Sequence, residues 1–246
     1  MKPTLLQPEK GTVGLQGVFP LKSEQAQRPR ILVERIPAPF ASLYEKAARL
    51  AVKTYYGPVA EEIVASFQAG RILDLGTGPG YLPVEIVRRA PEIRATGIDL
   101  SRRLLRTGVR NASAAGVGDR VAFEVGNASR LRWPDHTFDM VTCTGMLHML
   151  KDPVGVLREC RRVLRPGGAA WFDDPAGVFS TIHMGRWKAS LTRGERILYA
   201  LFRVYARIHP GRRYGSKDVA ALIATAGFRE HGIWEERGEV RARMTK

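Results

Sequence analysis

The chain has 246 residues, of which 44% are apolar and 26% charged, as expected for one sizeable globular domain or a core domain with an insertion. No apolar run approaches the roughly 20 residues that a transmembrane helix needs, and two cysteines are too few for a disulfide framework or a cysteine metal cage. The formal charge of +15 makes nucleic acid, anionic lipid and phosphorylated small molecules candidate partners, although a generally arginine-rich composition is the simpler explanation.

Residues 1–35 carry proline, glycine, glutamine and mixed charge without clear periodicity, and we interpret them as a loose N-terminal arm. This stretch lacks an uninterrupted apolar core followed by a small-residue cleavage site, so we do not expect a signal peptide. Few cysteines and no leader together favour a cytoplasmic protein. Residues 36–246 are predicted to form one domain.

The domain begins with a helical pattern and then alternates between strands and helices. From residue 40 to residue 67 apolar residues recur three and four positions apart, with Pro58 dividing two helices. The helix after the second strand has Ser101 at its N-cap. Strands separated by helices indicate an α/β fold with a mostly parallel sheet covered on both faces. The strand-like segments are RILDLG (71–76), RATGIDL (94–100), RVAFEVGNA (120–128), FDMVTCTG (138–145) and GAAWFDD (168–174), the last following a turn at 165–168.

The alternation stops after the fifth strand, where residues 175–213 form an insertion. One helical face of it combines apolar residues with flanking arginines, namely Ile197, Leu198, Leu201, Val204, Tyr205 and Ile208 with Arg196, Arg203 and Arg207. We favour a helical lid whose apolar face packs on the core, ahead of a lid that also meets an anionic membrane or a lipid-like substrate. Beyond it we predict a helix that Ser216 caps and Gly227 ends, then two short strands around Gly238.

A glycine loop follows the first strand as Gly76-Thr77-Gly78-Pro79-Gly80. Glycine permits positive φ, and its missing side chain lets a ligand approach the backbone. A dinucleotide fingerprint would need its third glycine at the position of Tyr81. Asp74, two residues before the loop, would repel a diphosphate but suits a ligand that carries an ammonium and a sulfonium.

Polar and apolar candidates also stand at the ends of the second and third strands. Asp99 can accept hydrogen bonds from two ribose hydroxyls, and Leu100 can lie against an adenine face. Asn127 and Ala128 can meet the adenine edge. The simpler readings are that Asp99 caps a helix and that Asn127 closes a turn, but open α/β sheets bind ligands at these strand ends.

These motifs resemble those of class I S-adenosylmethionine-dependent methyltransferases, and in particular of the type 11 branch, which includes quinone-biosynthesis enzymes. The resemblance covers roughly residues 44–174 and rests on ILDLGTGPG, ATGIDLS, VGNASRL, FDMVTCTGMLHMLKDP and ECRRVLRPGG. It implies a Rossmann-like fold with a seven-stranded, mostly parallel sheet, an N-terminal helical extension and a lid after strand five. It also implies S-adenosyl-L-methionine as cofactor.

The resemblance assigns a role to each candidate cofactor residue. Gly76, Thr77, Gly78 and Gly80 form the loop that cradles the methionine part, and Asp74 supports its amino group. Asp99 holds the ribose, while Leu100, Asn127 and Ala128 surround adenine. Thr144 lies where the fourth strand opens towards the methyl group. The family often has Asp at position 127, but Asn keeps an acceptor, so we expect binding to survive.

The candidate catalytic groups follow strands four and five. Methyl transfer is an in-line displacement that depends on positioning, and a base is needed only when the acceptor arrives protonated. His148 and Asp173, the latter beside Asp174, are the candidates, although a histidine at position 148 often only packs and caps a helix in this family. Thr144 stands where catechol-type enzymes have a metal-binding acid, so we expect no metal.

We therefore predict methyl transfer to a small, largely apolar acceptor, with Tyr44, Tyr55 and Tyr56 closing one side of its pocket. The segment TCTGML (142–147) lacks the Asn/Asp-Pro-Pro-aromatic motif of enzymes that methylate base amines. Methylation of RNA or protein by way of the basic surface remains an alternative. A non-catalytic cofactor-binding subunit that activates another methyltransferase is a second one.

Overall fold

The computed structural model describes residues 37–175, 191–208, 212–236 and 239–246. The arm predicted at 1–35, most of the first half of the insertion and Gly238 lie outside these residues. Within them, no helix is long and apolar enough to cross a bilayer.

Seven helices of eight or more residues and seven strands make up the described chain. The helices are α1 (Ala41–Leu50), α2 (Gly57–Ser66), α3 (Tyr81–Arg89), α4 (Arg102–Ala114), α5 (Pro153–Val163), α6 (Arg193–Ile208) and α7 (Ser216–Ala226). The strands are β1 (Ala69–Leu75), β2 (Glu92–Asp99), β3 (Val121–Val125), β4 (Phe138–Thr144), β5 (Leu164–Pro175), β6 (Glu230–Glu236) and β7 (Glu239–Thr245).

The strands form one sheet in the order β3-β2-β1-β4-β5-β7-β6. Strands β1 to β5 pair in parallel, whereas β7 pairs antiparallel with both β5 and β6. The predicted seven-stranded, mostly parallel sheet is thus confirmed. Because β1, β2, β4 and β5 run in the same direction, their carboxyl ends meet at one edge, where the predicted site residues stand.

Two apolar cores cover the two faces of the sheet. Helices α2, α3 and α4 pack on one face around Ile63, Ile72 and Trp171. Helices α5 and α7 pack on the other face around Leu73 and Phe172. Successive residues of a strand point to opposite faces, so neighbouring strand-end residues serve different sides of the sheet.

Helix α1 lies between α4 and α6 and is linked to each by side chains. Thr107 of α4 donates a hydrogen bond to Glu45 at 3.0 Å, and Lys46 forms an ion pair with Glu195 of α6 at 2.8 Å. Leu43 packs with Leu191 and with Tyr199 of α6. The predicted division at Pro58 is confirmed, since this proline stands in the first turn of α2 after one wide π-type turn at Val52–Tyr56.

Two local predictions were wrong, those for Ser216 and for the end of β3. Ser216 is the first residue of α7 rather than its cap, because its hydroxyl donates to Glu235 at 2.6 Å while Asp218 accepts the N–H of Gly215. The turn predicted at 165–168 is confirmed as a break in the pairing within β5, because Leu164 pairs with Phe138 of β4, the next pair is Ala169 with Met140, and Gly167 has a φ of 75°. Strand β3 ends at Val125, three residues before the predicted end. By contrast Ser101 does cap α4, accepting from the N–H of Leu104 at 3.4 Å.

The apolar face predicted for the insertion divides in two. Tyr199 is buried and Leu198 packs beside it. Ile197, Leu201 and Val204 face outward, with 62%, 56% and 53% of their surfaces exposed. The prediction that these three pack on the core was therefore wrong, because α6 contacts α1 through an adjacent stripe. The side chains of 205–208 lie outside the described residues.

Candidate active site

The loop after β1 depends on glycine at three positions. Gly76, Gly78 and Gly80 have φ values of 62°, 54° and 72°, a left-handed conformation that residues with a side chain rarely adopt. A Cβ at Gly76 would lie 2.6 Å from the sulfur of Met146, and one at Gly80 would lie 2.4 Å from the ring of Phe123. The glycines thus satisfy both the backbone turn and the close packing around it.

Asp99 ties the end of β2 to the glycine loop. Its carboxylate accepts hydrogen bonds from the N–H of Gly78 at 3.0 Å and from the N–H of Ser101 at 2.7 Å. Burial raises the pKa of Asp99 above its ordinary value, against the effect of these backbone hydrogen bonds. Each carboxylate oxygen retains acceptor capacity for a ligand.

A cavity opens between the loop and the ends of β2 and β3. It is lined by five residues of the predicted set, Gly76, Asp99, Leu100, Asn127 and Ala128, and by four others, Ile98, Gly126, Met146 and Leu150. Most of the lining is apolar, and the Asp99 carboxylate stands at its wall. The Asn127 side chain accepts the N–H of Ser129 at 2.9 Å, so it closes the turn as well as lining the cavity.

The lining residues fit the adenosine part of S-adenosylmethionine. A carboxylate beside apolar walls suits a ribose diol attached to a flat aromatic base, because the base faces can lie between aliphatic side chains. Any side chain at Gly76 would occupy the space next to Met146. The chemistry and shape of this part of the site therefore agree with the predicted cofactor.

Asp74 and Thr77 lie beneath the loop and do not line the cavity. Asp74 is 1% exposed and accepts a hydrogen bond from the hydroxyl of Thr142 at 2.7 Å. Burial raises the pKa of Asp74 to about 6. Thr77 is buried against Gly97, and its backbone N–H donates to the carbonyl of Ile98 at 2.9 Å. The role predicted for Asp74 towards the cofactor amino group stays a prediction.

His148 is held on two sides by Asp174. The backbone N–H of His148 donates to one carboxylate oxygen at 2.7 Å, and Nδ1 lies 2.7 Å from the other. Asp174 is nearly buried, whereas about a quarter of the His148 side chain is exposed. A carboxylate oxygen opposite Nδ1 favours the tautomer with the hydrogen on Nδ1, which in the neutral ring leaves Nε2 as an acceptor.

Asp173 points to the opposite face of the sheet from Asp174 and is fully buried. Its carboxylate lies 3.1 Å from Nε of Arg241 on β7, an ion pair within the protein. Burial raises the pKa of Asp173 to about 7, although Arg241 lowers it. Thr144 pairs with Asp173 across β4 and β5. The predicted catalytic role of Asp173 stays a prediction.

Tyrosines of the N-terminal helices lie close to the glycine loop and to Asp173. Tyr44 lies beside Gly78, at 3.3 Å from the position of a Cβ there, and the Tyr56 hydroxyl donates to it. Burial, followed by the charge of Asp99, raises the pKa of Tyr44 to about 12. Burial and the charge of Asp173 raise the pKa of Tyr55 well above its ordinary value. Two of the tyrosines predicted to border the acceptor pocket thus stand close to acids at the strand ends.

Two features of the site were missed by the sequence reasoning. Met146 and Leu150 line the cavity, although the segment that contains them carried part of the family resemblance. Their position directly after β4 was the available signal, since β4 neighbours β1 in the sheet. The contact between His148 and Asp174 joins residues 26 positions apart, so no local sequence pattern predicts it.

Comparison with known proteins finds similarity to methyltransferases. Residues 72–168 match the family model of a methyltransferase domain. The ubiquinone biosynthesis O-methyltransferase of Ralstonia nicotianae is 36% identical over 159 residues, which are 64% of this chain and 62% of that protein. The 27-O-demethylrifamycin SV methyltransferase of Amycolatopsis mediterranei is 38% identical over 114 residues, 44% of this chain and 42% of that protein.

The fold is also similar to those of solved methyltransferase structures. A SAM-dependent methyltransferase from Aquifex aeolicus superposes with a TM-score of 0.57 at 18% identity, over 82% of this chain and 96% of the other. The two curated relatives are matched over 42% and 62% of their own length. Residues 72–168 therefore resemble a methyltransferase domain, and the strand order and the glycine loop agree with the fold of class I S-adenosylmethionine-dependent methyltransferases.

Proposed function

We propose that this protein transfers the methyl group of S-adenosyl-L-methionine to a small, largely apolar acceptor. The observation that carries the proposal is the cavity between the glycine loop and the ends of β2 and β3, with Asp99 at its wall. Its position at the carboxyl ends of parallel strands is the one at which open α/β sheets bind nucleoside ligands.

The residues around the cavity would each contact a different part of the cofactor. Asp99 would accept hydrogen bonds from the ribose hydroxyls, and Leu100, Ala128, Met146 and Leu150 would enclose adenine. The left-handed glycines leave the loop backbone open to the methionine part. The bound cofactor supplies a methyl group already activated on sulfonium, so the chain mainly has to orient the acceptor and exclude water.

His148 is the base that we assign to this reaction. Asp174 fixes the ring and holds the hydrogen on Nδ1, so Nε2 can take a proton from an acceptor hydroxyl as the oxygen attacks. The proton leaves the acceptor oxygen and ends on Nε2, while Asp174 balances the charge of the imidazolium. This arrangement favours an acceptor such as a phenol or an enol over one that arrives already deprotonated.

The relatives support an oxygen acceptor. One is named as a ubiquinone biosynthesis O-methyltransferase, and the other for methylation of 27-O-demethylrifamycin SV. The tyrosines of α1 and the following turn, Tyr44, Tyr55 and Tyr56, support an acceptor that is largely apolar. Cys143 and Cys160 are buried free thiols, which supports a location in the cytoplasm.

Turnover tests this proposal directly. The purified chain, with S-adenosylmethionine, is offered phenols, quinols, an RNA pool and a peptide pool, and S-adenosylhomocysteine formation is measured for each. We expect product only with the phenols or quinols. Product with RNA or peptide would replace our proposal by a macromolecular substrate, and cofactor binding without any turnover would indicate a partner subunit.

A further inference from the structure

Helix α6 turns a continuous apolar stripe outward. Ile197, Leu201 and Val204 are spaced four and three residues apart, so they share one face of the helix. They are 62%, 56% and 53% exposed, and only three other large apolar side chains of the described chain are comparably exposed. An apolar stripe of this kind on a helix marks a binding surface rather than a packed element.

The opposite stripe of α6 already has its partners. Leu198 and Tyr199 pack with Leu43 of α1 and with Leu191. Glu195, the acidic residue of this helix, is bound to Lys46 at 2.8 Å. The helix therefore contacts α1 on one side, while the stripe Ile197-Leu201-Val204 is exposed on the other side.

Arginines accompany the outward stripe. Arg193, Arg196 and Arg203 are exposed and, at 100° per residue, fall together on one side of Ile197. With Glu195 paired to Lys46, the outward side of α6 combines aliphatic side chains with positive charge.

We propose that the stripe Ile197-Leu201-Val204 docks onto the surface of an anionic lipid bilayer. A helix that combines a narrow apolar stripe with flanking arginines lies in the headgroup region, with aliphatic side chains inserted and guanidinium groups on lipid phosphates. The N-terminal residues 1–36 are a poorer occupant for this surface, because they carry six basic and three acidic residues and so share its positive charge. Nucleic acid binding would use the arginines but would leave the aliphatic stripe in water.

Docking in this way would place a particular side of the protein against the membrane. Helix α1, which α6 contacts, also carries Tyr44 against the glycine loop. The membrane-bound surface is therefore adjacent to the helix that covers the candidate active site. The proposal does not rest on the methyl transfer reaction, and vesicle binding can be measured without turnover.

Flotation of the full chain with vesicles tests the proposal. We expect binding to vesicles of phosphatidylcholine with phosphatidylglycerol and much weaker binding to phosphatidylcholine alone. The double variant Ile197→Gln/Leu201→Gln should lose about tenfold or more of its partitioning, since two inserted aliphatic groups become polar. Val204→Gln should also bind more weakly, and Val109→Gln on α4, a valine that is 54% exposed, is the matched control that should bind normally.

A charge series completes the test. Arg203→Glu should reduce binding to anionic vesicles by ~5-fold or more, the effect of about one basic residue near the surface. Arg229→Glu, at an exposed arginine in the connection between α7 and β6, changes the net charge equally and should have little effect. The proposal would be overturned if vesicle binding were absent or were unchanged in the α6 variants. It would also be overturned if the same arginines bound RNA in a salt-sensitive manner and the chain did not bind vesicles.

Discussion

Gly78 and Asp99 are joined by a hydrogen bond of 3.0 Å between the backbone N–H of the loop and the carboxylate at the end of β2. The residue predicted to hold a ribose therefore also fixes the loop predicted to cradle the methionine part. Because Asp99 holds a second backbone N–H, that of Ser101, its carboxylate is oriented before any ligand arrives. Cofactor affinity should depend on this preorganisation as well as on direct contact.

Asp99→Ala should weaken binding of S-adenosylhomocysteine by about 1–3 kcal/mol, the cost of leaving polar partners without an acceptor. Asp99→Asn should lose less, since its amide oxygen can still accept one of the backbone hydrogen bonds. Calorimetric titration of both variants measures the effect. The control is Asp135→Ala, which removes an exposed carboxylate far from the cavity and should leave affinity unchanged. Full affinity in Asp99→Ala would contradict the ribose role.

Gly78→Val should abolish cofactor binding and leave the fold largely intact. The variant places a side chain at a φ of 54° and within 3.3 Å of the Tyr44 ring, so the loop has to move. Gly116→Val separates strain from obstruction, because Gly116 has a φ of 69° but nothing within 4 Å of its Cβ position. Circular dichroism and titration should show that both variants fold and that only the Gly116 variant binds. Normal binding by Gly78→Val would mean that the loop is not the cradle.

His148→Gln and Asp174→Asn should each lower kcat by roughly 10²–10⁴-fold with the preferred acceptor, as expected for loss of general base catalysis. Affinity for S-adenosylhomocysteine should change little, because neither residue lines the adenosine cavity. The Asn side chain can place an N–H where Asp174 accepts one, which favours the wrong tautomer of the ring.

His231→Gln on β6 is the control for these two variants and should retain full activity. The relevant comparison is between kcat and KM for a phenolic acceptor. A large rise in KM with an unchanged kcat in the His148 variant would show that His148 positions the acceptor and takes no proton.

Asp74→Asn should change how stability depends on pH. In the folded chain the pKa of Asp74 is raised from 3.8 to about 6, so within this window the folded state holds more protons than the unfolded chain. The free energy of unfolding therefore falls as the pH rises through the window, by about 3 kcal/mol for a shift of this size. The Asn variant lacks this penalty while keeping an acceptor for Thr142.

Urea denaturation of wild type and Asp74→Asn above and below this window measures the difference. The variant should gain stability relative to wild type at the alkaline end and lose that advantage at the acid end. A difference that is constant across the window would mean that the Asp74 carboxyl titrates as it does in the unfolded chain.

Much of the site could be predicted because its signals are local. The loop glycines need positive φ wherever they occur in such a turn, and the cap at Ser101 involves a residue three positions away. The positions of Asp99, Leu100, Asn127 and Ala128 follow from a parallel sheet, since the ends of its strands must meet at one edge. Alternation also explains why Asp74 lies beneath the loop, between Leu73 and Leu75, which face the opposite core.

What the sequence did not reveal depends on contacts between distant residues. The Ser216 hydroxyl pairs with Glu235, 19 positions away, rather than capping its own helix. Helical periodicity grouped the apolar residues of α6 but could not show which stripe faces α1 and which faces outward. The orientation of His148 required Asp174 from another strand. Each of these outcomes is set by tertiary packing that local propensity does not encode.

Titration of the purified chain with S-adenosylhomocysteine, with NAD as the parallel ligand, tests the central claim most directly. We predict saturable binding of S-adenosylhomocysteine at a single site, lost in Gly78→Val, and no binding of NAD. Binding of NAD in place of S-adenosylhomocysteine would contradict the assignment of the glycine loop and, with it, the proposed methyl transfer.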